Sequence, residues 1–397
     1  MDSGIAALGN KGASVHVRSI CGALSCSGCE VFLHCNRVGG LLSQTRSFAR
    51  HCYEHRIPDS LKRLQRDLRD FYDAELRVPA ETRQAMINRA VLPELITAWR
   101  EQKPAFVLER LSLMGVAGVR ACTEVGICHM LEVNALMSDE ARAFRSLSDY
   151  EMARRAENEV LRSTRRIFCV SWELKEMIIA RGVEAHRIEV MPNGYNETLF
   201  RPRSGAPLRR KLALSDHFVI GMVGSLKPWH GVGVMLESMM AWSSRRKMAL
   251  LLVGEGPETQ RVNAFKEEHP EIRVVHRGSV PHHEIPAYIA ACDICAAPYE
   301  HSEAFYFSPL KIYEYLAMAK PVIASDQGQV REIISHGHNG LLFEPGNAEQ
   351  FTAAVERLRR SPKFRERLAR EGRKSVSGHT WGRNARRILA AAKEECA

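Results

Sequence analysis

The sequence predicts an α/β protein built from two doubly wound parallel-sheet domains. Its 397 residues exceed what one hydrophobic core usually takes, and short apolar runs alternate with helical stretches along most of the chain. Segment 201–210, with its prolines, glycine and arginines, interrupts that alternation as a linker would. We predict domains at 1–203 and 204–376, followed by a C-terminal helix at 377–397 that packs back on the first domain. In such folds ligands bind at the carboxyl ends of the strands, which would here face a central cleft.

In the N-terminal half, a glycine-rich stretch at residues 9–16 leads into a helix that runs to about Leu24. Residues 43–102 are charged with few Gly or Pro breakers, so we expect only helices there. A charged helix is expected at 139–163. The predicted strands lie at Cys29–Cys35, Ala105–Ser112, His129–Asn134, Ile167–Ser171 and Ile188–Gly194.

In the C-terminal half the strand candidates are apolar nearly throughout, as strands covered on both faces must be. They lie at Phe218–Ser225, Met248–Gly256, Ile272–Val280, Asp293–Tyr299, Pro321–Asp326 and Gly340–Gly346. The last segment reads as a helix.

The composition is that of an ordinary globular protein, with 45% apolar and 26% charged residues. No apolar run approaches the roughly 18 residues needed to cross a bilayer, and no secretory signal layout opens the chain, so we expect a cytoplasmic protein. The 11 cysteines are scattered, which fits a reducing compartment. Within them CSGC, at Cys26–Cys29, is expected to be a helix with two buried thiols rather than half of a redox or zinc site.

The net charge of +10 leaves three interpretations open. The basic surface is simply solvated, attracts an anionic substrate such as a nucleoside diphosphate, or contacts an anionic membrane. Acidic residues interleave with Lys62, Arg63, Arg66 and Arg69, which favours a solvated helix over membrane docking and leaves peripheral membrane contact open. No nucleic-acid-binding module is recognisable, so nucleic acid is not an expected partner.

Three segments carry candidate chemistry. Gly221–Gly231 is a strand end followed by a turn that offers backbone N–H groups to phosphate, with Lys227 as a point charge. In Phe305–Ser325, Ser308 and Pro309 are expected to begin a helix whose amides hold a diphosphate, while Glu314 accepts ribose hydroxyls. Met191–Phe200 holds an Asn-Gly turn. Taken singly, each segment is equally compatible with an ordinary turn or a capped core helix.

Together and in this order, these segments resemble the retaining GT-B glycosyltransferases of family four. The resemblance covers essentially all of residues 165–395. It is looser in the N-terminal half, where it rests on GNKGASVHV and on FVLERLSLMG followed by HMLEVNA. The supporting runs are PNGYNETLFRP, GMVGSLKPWHGV, LLVGEGPE, RGSVPHHEIPAYIAACDICAAPY, FYFSPLKIYEYLAMAKPVIASDQGQVREII and HGHNGLLFEPGNAEQF.

The resemblance implies a nucleoside diphosphate sugar as donor, no permanently bound cofactor and no metal. Lys227, Asn134 and Glu314 would be the catalytic residues, and Lys227 and helix amides would stabilise the leaving diphosphate. The base would lie near Gly278, Ser279 and Val280. Further donor-binding residues would be Gly12, Gly224, Ser225, His230, Tyr306, Phe307, Ser308, Pro309 and Leu310. Lys11, His16 and Asn193 would lie on the acceptor side.

Three side chains depart from the family pattern. Tyr306 stands eight residues before Glu314, where members carry the first of two paired glutamates, and only Glu303 is near enough to substitute. Ser225 and His230 replace an Arg and a Lys, so Lys227 is expected to supply the charge. Asn134 replaces a His and can hydrogen-bond a sugar hydroxyl but not shuttle protons.

The start of the chain also departs from the pattern. Family members have a central strand just before the first glycine loop, whereas only MDSGIAAL precedes that loop here, so Ile5–Leu8 is at best a poor strand. Without it, the neighbouring strand edges would stay unpaired.

Two functions therefore compete, and other GT-B chemistry, such as sugar-nucleotide epimerisation or phosphorolysis, is disfavoured. The chain is either an active retaining glycosyltransferase or a nucleotide-sugar-binding, weakly active or inactive relative with a regulatory role. The acceptor is left open among a small molecule, a glycan and a lipid-linked precursor, as are the donor base, the sugar and the oligomeric state.

Overall fold

The computed structural model describes residues 5–396 except 10, 56, 73–77, 145–146, 243–246 and 303–304. These residues form two compact units. The first combines residues up to Gly9 with Ala13–Pro192 and Asn384–Ala397, and the second combines Asn193–Arg383 with Lys11 and Gly12. The chain thus changes unit after Pro192 and after Arg383, rather than after residues 203 and 376.

The first unit contains two parallel sheets with helices around them. One sheet pairs β1 with β2, and the other has the order β3-β4-β5-β6. The strands are β1 (Phe32–Cys35), β2 (His51–Glu54), β3 (Val107–Arg110), β4 (His129–Val133), β5 (Arg166–Cys169) and β6 (Ile188–Val190). The helices are α1 (Gly12–Cys26), α2 (Asp59–Tyr72), α3 (Ala80–Gln102), α4 (Ala117–Val125), α5 (Met137–Phe144), α6 (Tyr150–Ser163) and α7 (Trp172–Ala180).

The second unit is one six-stranded parallel sheet with the order β12-β11-β10-β7-β8-β9. The sheet is buried on both faces, because side chains of β7 pack into two different apolar cores. Val219 and Val223 belong to one core, and Ile220 and Met222 belong to the other. Its strands are β7 (Phe218–Val223), β8 (Met248–Val253), β9 (Arg273–His276), β10 (Ile294–Ala297), β11 (Val322–Ser325) and β12 (Leu341–Phe343). Its helices are α8 (Ala206–Lys211), α9 (Val232–Ala241), α10 (Thr259–Glu268), α11 (Ile285–Ala291), α12 (Leu310–Ala317), α13 (Val330–Ile333), α14 (Ala348–Arg360) and α15 (Pro362–Ser375).

The last helix, α16 (Trp381–Glu395), begins in the second unit and ends in the first. In the first unit Arg387 pairs with Glu189 and Arg166 pairs with Glu395 at 2.7 Å. Just beyond the helix Cys396 forms a disulfide with Cys128, which directly precedes β4. These two cysteines therefore depart from the free thiols expected of a reducing compartment.

The predicted α/β fold with two parallel-sheet domains is confirmed, and each predicted strand segment overlaps an observed strand. The expectation of helices alone over 43–102 is wrong, because β2 lies there. Its sequence HCYE is too polar to read as a buried strand, and it is ordered by pairing in register with β1. The helix expected at 139–163 is two helices, since Asp149 caps a new start by accepting from the Met152 N–H at 2.9 Å.

The helix predicted to bury both thiols of CSGC is also corrected. Cys26 is the last residue of α1 and is exposed, and Cys29 lies beyond the helix. Gly28 stops the helix because its φ of 91° is in the left-handed region, and the Cys29 N–H then bonds back to the Leu24 carbonyl at 3.1 Å.

Ile5–Leu8 forms no strand, although the Ala7 and Leu8 N–H groups donate to Arg37 and Val38 beyond the end of β1. Among the described strands, β1 pairs only with β2 and β3 pairs only with β4. One backbone edge of each is therefore left without a neighbouring strand.

Helix α2 presents basic and apolar side chains to solvent. Lys62 pairs with Asp59 at 2.9 Å and Arg69 with Asp70 at 3.5 Å, while Phe71 is 81% exposed. No helix in the described part of the chain combines the length and apolar character that crossing a membrane requires. Peripheral membrane contact stays a prediction.

Candidate active site

The order of strands in the second unit reverses between β7 and β10, which are hydrogen-bonded neighbours. From β7 the chain proceeds outward through β8 and β9, and from β10 it proceeds the other way through β11 and β12. In doubly wound sheets this reversal opens a crevice at the carboxyl ends of the two central strands, where ligands bind. The segments that follow β7 and β10 are therefore the first place to look for a site.

The turn after β7 is shaped by two glycines with left-handed φ angles. Gly224 has φ 132°, and Gly231 has φ 68° at the start of α9. A Cβ atom at Gly231 would lie only 1.5 Å from the Pro298 carbonyl oxygen, so any side chain there would push this turn away from the segment after β10. The two glycines therefore let the turn lie close against the neighbouring segment.

His230 and Lys227 on this turn differ in charge. The His230 Nδ1–H donates to the Ser225 carbonyl. Burial, with help from Lys311 and Lys227, lowers the pKa of His230 to about 3, so the ring is neutral at physiological pH. Lys227 is half-exposed and its Nζ lies 5.5 Å from the centre of the Trp229 ring. Of the two predicted donor-binding side chains, only Lys227 carries a charge.

Helix α12 begins one residue later than predicted and is not capped by Ser308. Its N-cap residue is Pro309, and no side chain caps it. Ser308 is instead held by Asn193, whose backbone N–H donates to the serine Oγ at 3.1 Å and whose Nδ2 donates to the serine carbonyl at 2.9 Å. The Asn-Gly turn predicted on the acceptor side thus belongs to the second unit and fixes the start of α12.

Glu314, on the second turn of α12, is 8% exposed and is paired with a histidine that the sequence analysis missed. His282 Nε2 donates to Glu314 Oε1 at 3.0 Å. The only signal for His282 was its place in the run RGSVPHHEIP. Because His283 follows it directly, the run does not show which of the two histidines would be functional. The pair orients a carboxylate close to the carboxyl end of the sheet, where it was predicted to bind ribose.

Lys311 is the second residue that sequence reasoning gave no role. Its Nζ is buried and makes no hydrogen bond to any described residue. The ammonium lies 5.1 Å from the centre of the Tyr299 ring, and a Cβ atom at Gly224 would be 3.3 Å from it. Burial lowers the pKa of Lys311 to about 8, against the attraction of Glu314.

The remaining predicted donor-binding residues flank this cluster. Ser279 is exposed and its N–H donates to Glu255 Oε1 at 3.3 Å, beside Gly278 and Val280 after β9. The Phe307 ring contacts that of Phe305 in a tilted arrangement, with ring centres 4.0 Å apart, and meets the Tyr306 ring edge-on. Leu310 is the first residue of α12. Glu303 lies outside the described residues, so the structure does not address its predicted substitution for the missing glutamate.

The first unit has its own polar cluster at the end of β4. Glu132 is 6% exposed and forms an ion pair with His16 of α1. Asn134 Nδ2 donates to Glu132 Oε1 at 3.1 Å, and Arg110 Nη1 lies 3.9 Å from the same oxygen. Burial by itself would raise the pKa of Glu132, but His16, Arg110 and Asn134 together lower it to about 2.

This cluster unites two predicted residues, His16 and Asn134, with Glu132, which was missed. A charged residue inside the apolar strand HMLEV is a signal that could have found it. Predicted Lys11 and Gly12 are exposed and are counted with the second unit. Over the described residues, no group of three or more His, Cys, Asp or Glu side chains is arranged to hold a metal ion.

Two family models match the chain in succession. Residues 10–199 match the model described as Glycosyltransferase Family 4, and residues 217–361 match the one described as Glycosyl transferases group 1. The chain belongs to the family-four glycosyltransferases. Its fold is that of the GT-B members, and the resemblance inferred from the motifs is confirmed.

Relatives of this family-four chain include a D-inositol 3-phosphate glycosyltransferase of Acidothermus cellulolyticus, which is 26% identical over 61% of the chain. An alpha-D-kanosaminyltransferase of Streptomyces kanamyceticus is 27% identical over 41% of the chain. The chain matches 56% of the length of the first relative and 42% of the second.

Among solved structures, sucrose-phosphate synthase from Thermosynechococcus elongatus aligns with a TM-score of 0.74 at 17% identity, covering 99% of the chain and 96% of that protein. Anabaena HepE in complex with UDP and glucose aligns with a TM-score of 0.73 at 18% identity, covering 98% of both chains. At these identities the likeness concerns the fold.

Proposed function

We propose that this chain transfers a sugar from a nucleoside diphosphate sugar to a hydroxyl group of an acceptor, with retention of configuration and without a metal ion. The observation that carries the proposal is the cluster at the strand-order reversal of the second unit. There the glycine turn after β7, the start of α12 and the His282–Glu314 pair come from three separate segments of sequence. Family membership supports the reaction class, and the resemblance to retaining members supports the stereochemistry.

Each part of this cluster has a chemical task in sugar transfer. We assign the diphosphate to the turn after β7 and the N-terminal end of α12, where the helix dipole favours the negative charge that grows as the glycosidic bond breaks. Glu314 accepts hydrogen bonds from the ribose hydroxyls, with its orientation fixed by His282. These groups are held in place before the ligand arrives, so little reorganisation accompanies the reaction.

Glu132 and Asn134 give the first unit a polar site suited to an acceptor or to the transferred sugar. The low pKa of Glu132 keeps that carboxylate charged, and it holds the Asn134 amide through one N–H. The remaining amide atoms can then bond sugar hydroxyls. The acceptor class stays open among a small molecule, a glycan and a lipid-linked precursor.

Calorimetric titration of the purified chain with UDP, GDP and ADP tests the donor assignment. We expect one of them to bind in the micromolar range and Glu314→Gln to weaken that binding. Glu268→Gln, which changes an exposed glutamate of α10, is the matched control and should bind like the native chain. Absence of binding by any nucleotide to a cooperatively folded sample would contradict the proposal.

Turnover then separates the enzyme from a non-catalytic relative. With the matching UDP-, GDP- or ADP-sugar, proton NMR of the released or transferred sugar should show the anomeric configuration of the donor retained. Binding without measurable turnover, against water and a panel of polyol, glycan and lipid acceptors, would favour the nucleotide-sugar-binding relative instead. An inverted product would contradict the retaining mechanism alone.

A further inference from the structure

Among the side chains of the turn after β7, Gly224–Gly231, only Lys227 is positively charged. Ser225 and His230 occupy its two candidate positions, and His230 is neutral at physiological pH because of burial and nearby lysines. Lys227 is only half-buried and lies against the exposed Trp229 ring. A diphosphate carries at least two negative charges, so a desolvated site for it needs a positive charge close by.

Lys311 puts a buried positive charge beside this turn. Its Nζ has no hydrogen-bond partner among the described residues, although an ammonium has three N–H donors to satisfy. The Tyr299 ring is a weak partner at 5.1 Å, and His230 is a neutral neighbour that offers no negative charge. Glu314, the carboxylate on the same helix, is already bonded to His282. Burying an ammonium without hydrogen bonds is unfavourable, so a site that keeps one is suited to receive an anion.

Gly224 lies directly beside the Lys311 ammonium. Gly224 has no side chain, and the position its Cβ would take is 3.3 Å from Lys311 Nζ. Any larger residue at Gly224 would therefore occupy the approach to the ammonium, and its φ of 132° independently requires glycine. The start of α12, which no side chain caps, is one residue before Lys311.

We propose that Lys311 is the cation that binds the diphosphate of the donor, in the role expected of Lys227. This inference rests on the proposed function and assigns the charge within that site. Lys311 reaches the diphosphate across Gly224, and the low polarity around it strengthens the attraction relative to a lysine in water. It therefore contributes to donor binding and to stabilising the leaving group.

Two lysine variants test the assignment against the same ligands. In Lys311→Met the length of the side chain is kept and the charge is lost, while Lys227→Met is the matched control. UDP, or whichever of UDP, GDP and ADP binds the native chain, is titrated alongside its free nucleoside. We expect Lys311→Met to weaken diphosphate binding about 10- to 100-fold and nucleoside binding by less than about twofold, Lys311→Arg to restore part of the loss, and Lys227→Met to have the smaller effect.

The pH dependence gives a second readout. Because the free ammonium has a pKa of about 8, the native affinity for the nucleoside diphosphate should fall by up to about tenfold per pH unit above it, and this slope should be absent in Lys311→Met.

Three outcomes would overturn the assignment. Diphosphate affinity of Lys311→Met within about twofold of native would show that the ammonium does not contact the ligand. An equal loss of nucleoside and diphosphate affinity would show a purely structural role. Failure of the native chain to bind any of the three nucleotides would overturn the proposed function together with this assignment, whereas the first two outcomes leave the proposed function intact.

Discussion

His282 Nε2 donates a hydrogen bond to Glu314 Oε1 across 3.0 Å, and so joins the segment after β9 to helix α12. These two residues are 32 positions apart in the sequence. The bond fixes the direction of a carboxylate that is only 8% exposed. A single interaction thereby orients the group that we assign to the ribose.

Glu314→Gln and His282→Ala should weaken nucleotide binding to different extents. Glutamine loses the charge that strengthens hydrogen bonds to hydroxyls, so we expect affinity to fall about tenfold or more. Removing His282 leaves the carboxylate in place but less ordered, for a loss of about two- to fivefold. Titration calorimetry measures both, and a larger effect from His282→Ala would argue that the histidine itself contacts the ligand.

Asn134→Ala should reduce turnover more than donor affinity. Its amide is held by Glu132 in the first unit, whereas Glu314 and Lys311, which we propose to bind the nucleotide, lie in the second. We expect kcat to fall about tenfold or more through loss of a hydrogen bond made in the transition state, with nucleotide affinity unchanged. Asn263→Ala, an exposed change on α10, serves as control. An unaltered kcat would remove Asn134 from the reaction site.

Glu132→Gln should lower the stability of the first unit at neutral pH and flatten its acid dependence. The pKa of Glu132 is about 2, below its ordinary 4.5. Its stabilisation of about 3 kcal/mol is therefore present above pH 4.5 and is lost as the pH falls toward 2. Thermal melts of the native chain and of the variant between pH 7 and 3 measure this. Parallel curves would show that other carboxylates dominate the acid dependence.

Reduction of the Cys128–Cys396 disulfide should lower the melting temperature of the native chain. The bond closes a loop with a sequence separation of 268 residues, and loops of this size lose about 5–6 kcal/mol of chain entropy in the unfolded state. Cys396→Ser should melt like the reduced chain and be insensitive to reductant. Equal melting of oxidised and reduced native protein would mean that the C-terminal contacts suffice without the bond.

The strands of the second unit were predictable because burial on both faces makes them apolar throughout, as in MALLLV of β8. β2 was not predictable by that rule. Its residues His51 and Glu54 are exposed, and only pairing with β1 makes HCYE a strand. Where tertiary pairing rather than apolar pattern decides the structure, local sequence carries little signal.

Local sequence likewise identifies some residues of the candidate site and not others. Glu314 and the turn at Gly224 were predictable because a recurring run of residues surrounds each. Lys311, His282 and Glu132 were missed, since each acquires its role from a neighbour distant in sequence: Gly224, Glu314 and His16. The expectation that Ser308 caps α12 is wrong, because its Oγ accepts a hydrogen bond from the backbone N–H of Asn193, 115 positions away.

The positions after Pro192 and Arg383, where the chain passes from one unit to the other, have a consequence for biosynthesis. The second unit is an almost uninterrupted stretch, Asn193–Arg383, inserted into the first, which also needs Asn384–Ala397. The ribosome makes the chain from its N-terminus. The second unit is therefore complete through Arg383 before Asn384–Ala397, the last segment of the first unit, is made. The unit that starts first would thus be the one to finish last, and until then it would lack the end of α16 that carries Arg387 and also Cys396, which follows that helix.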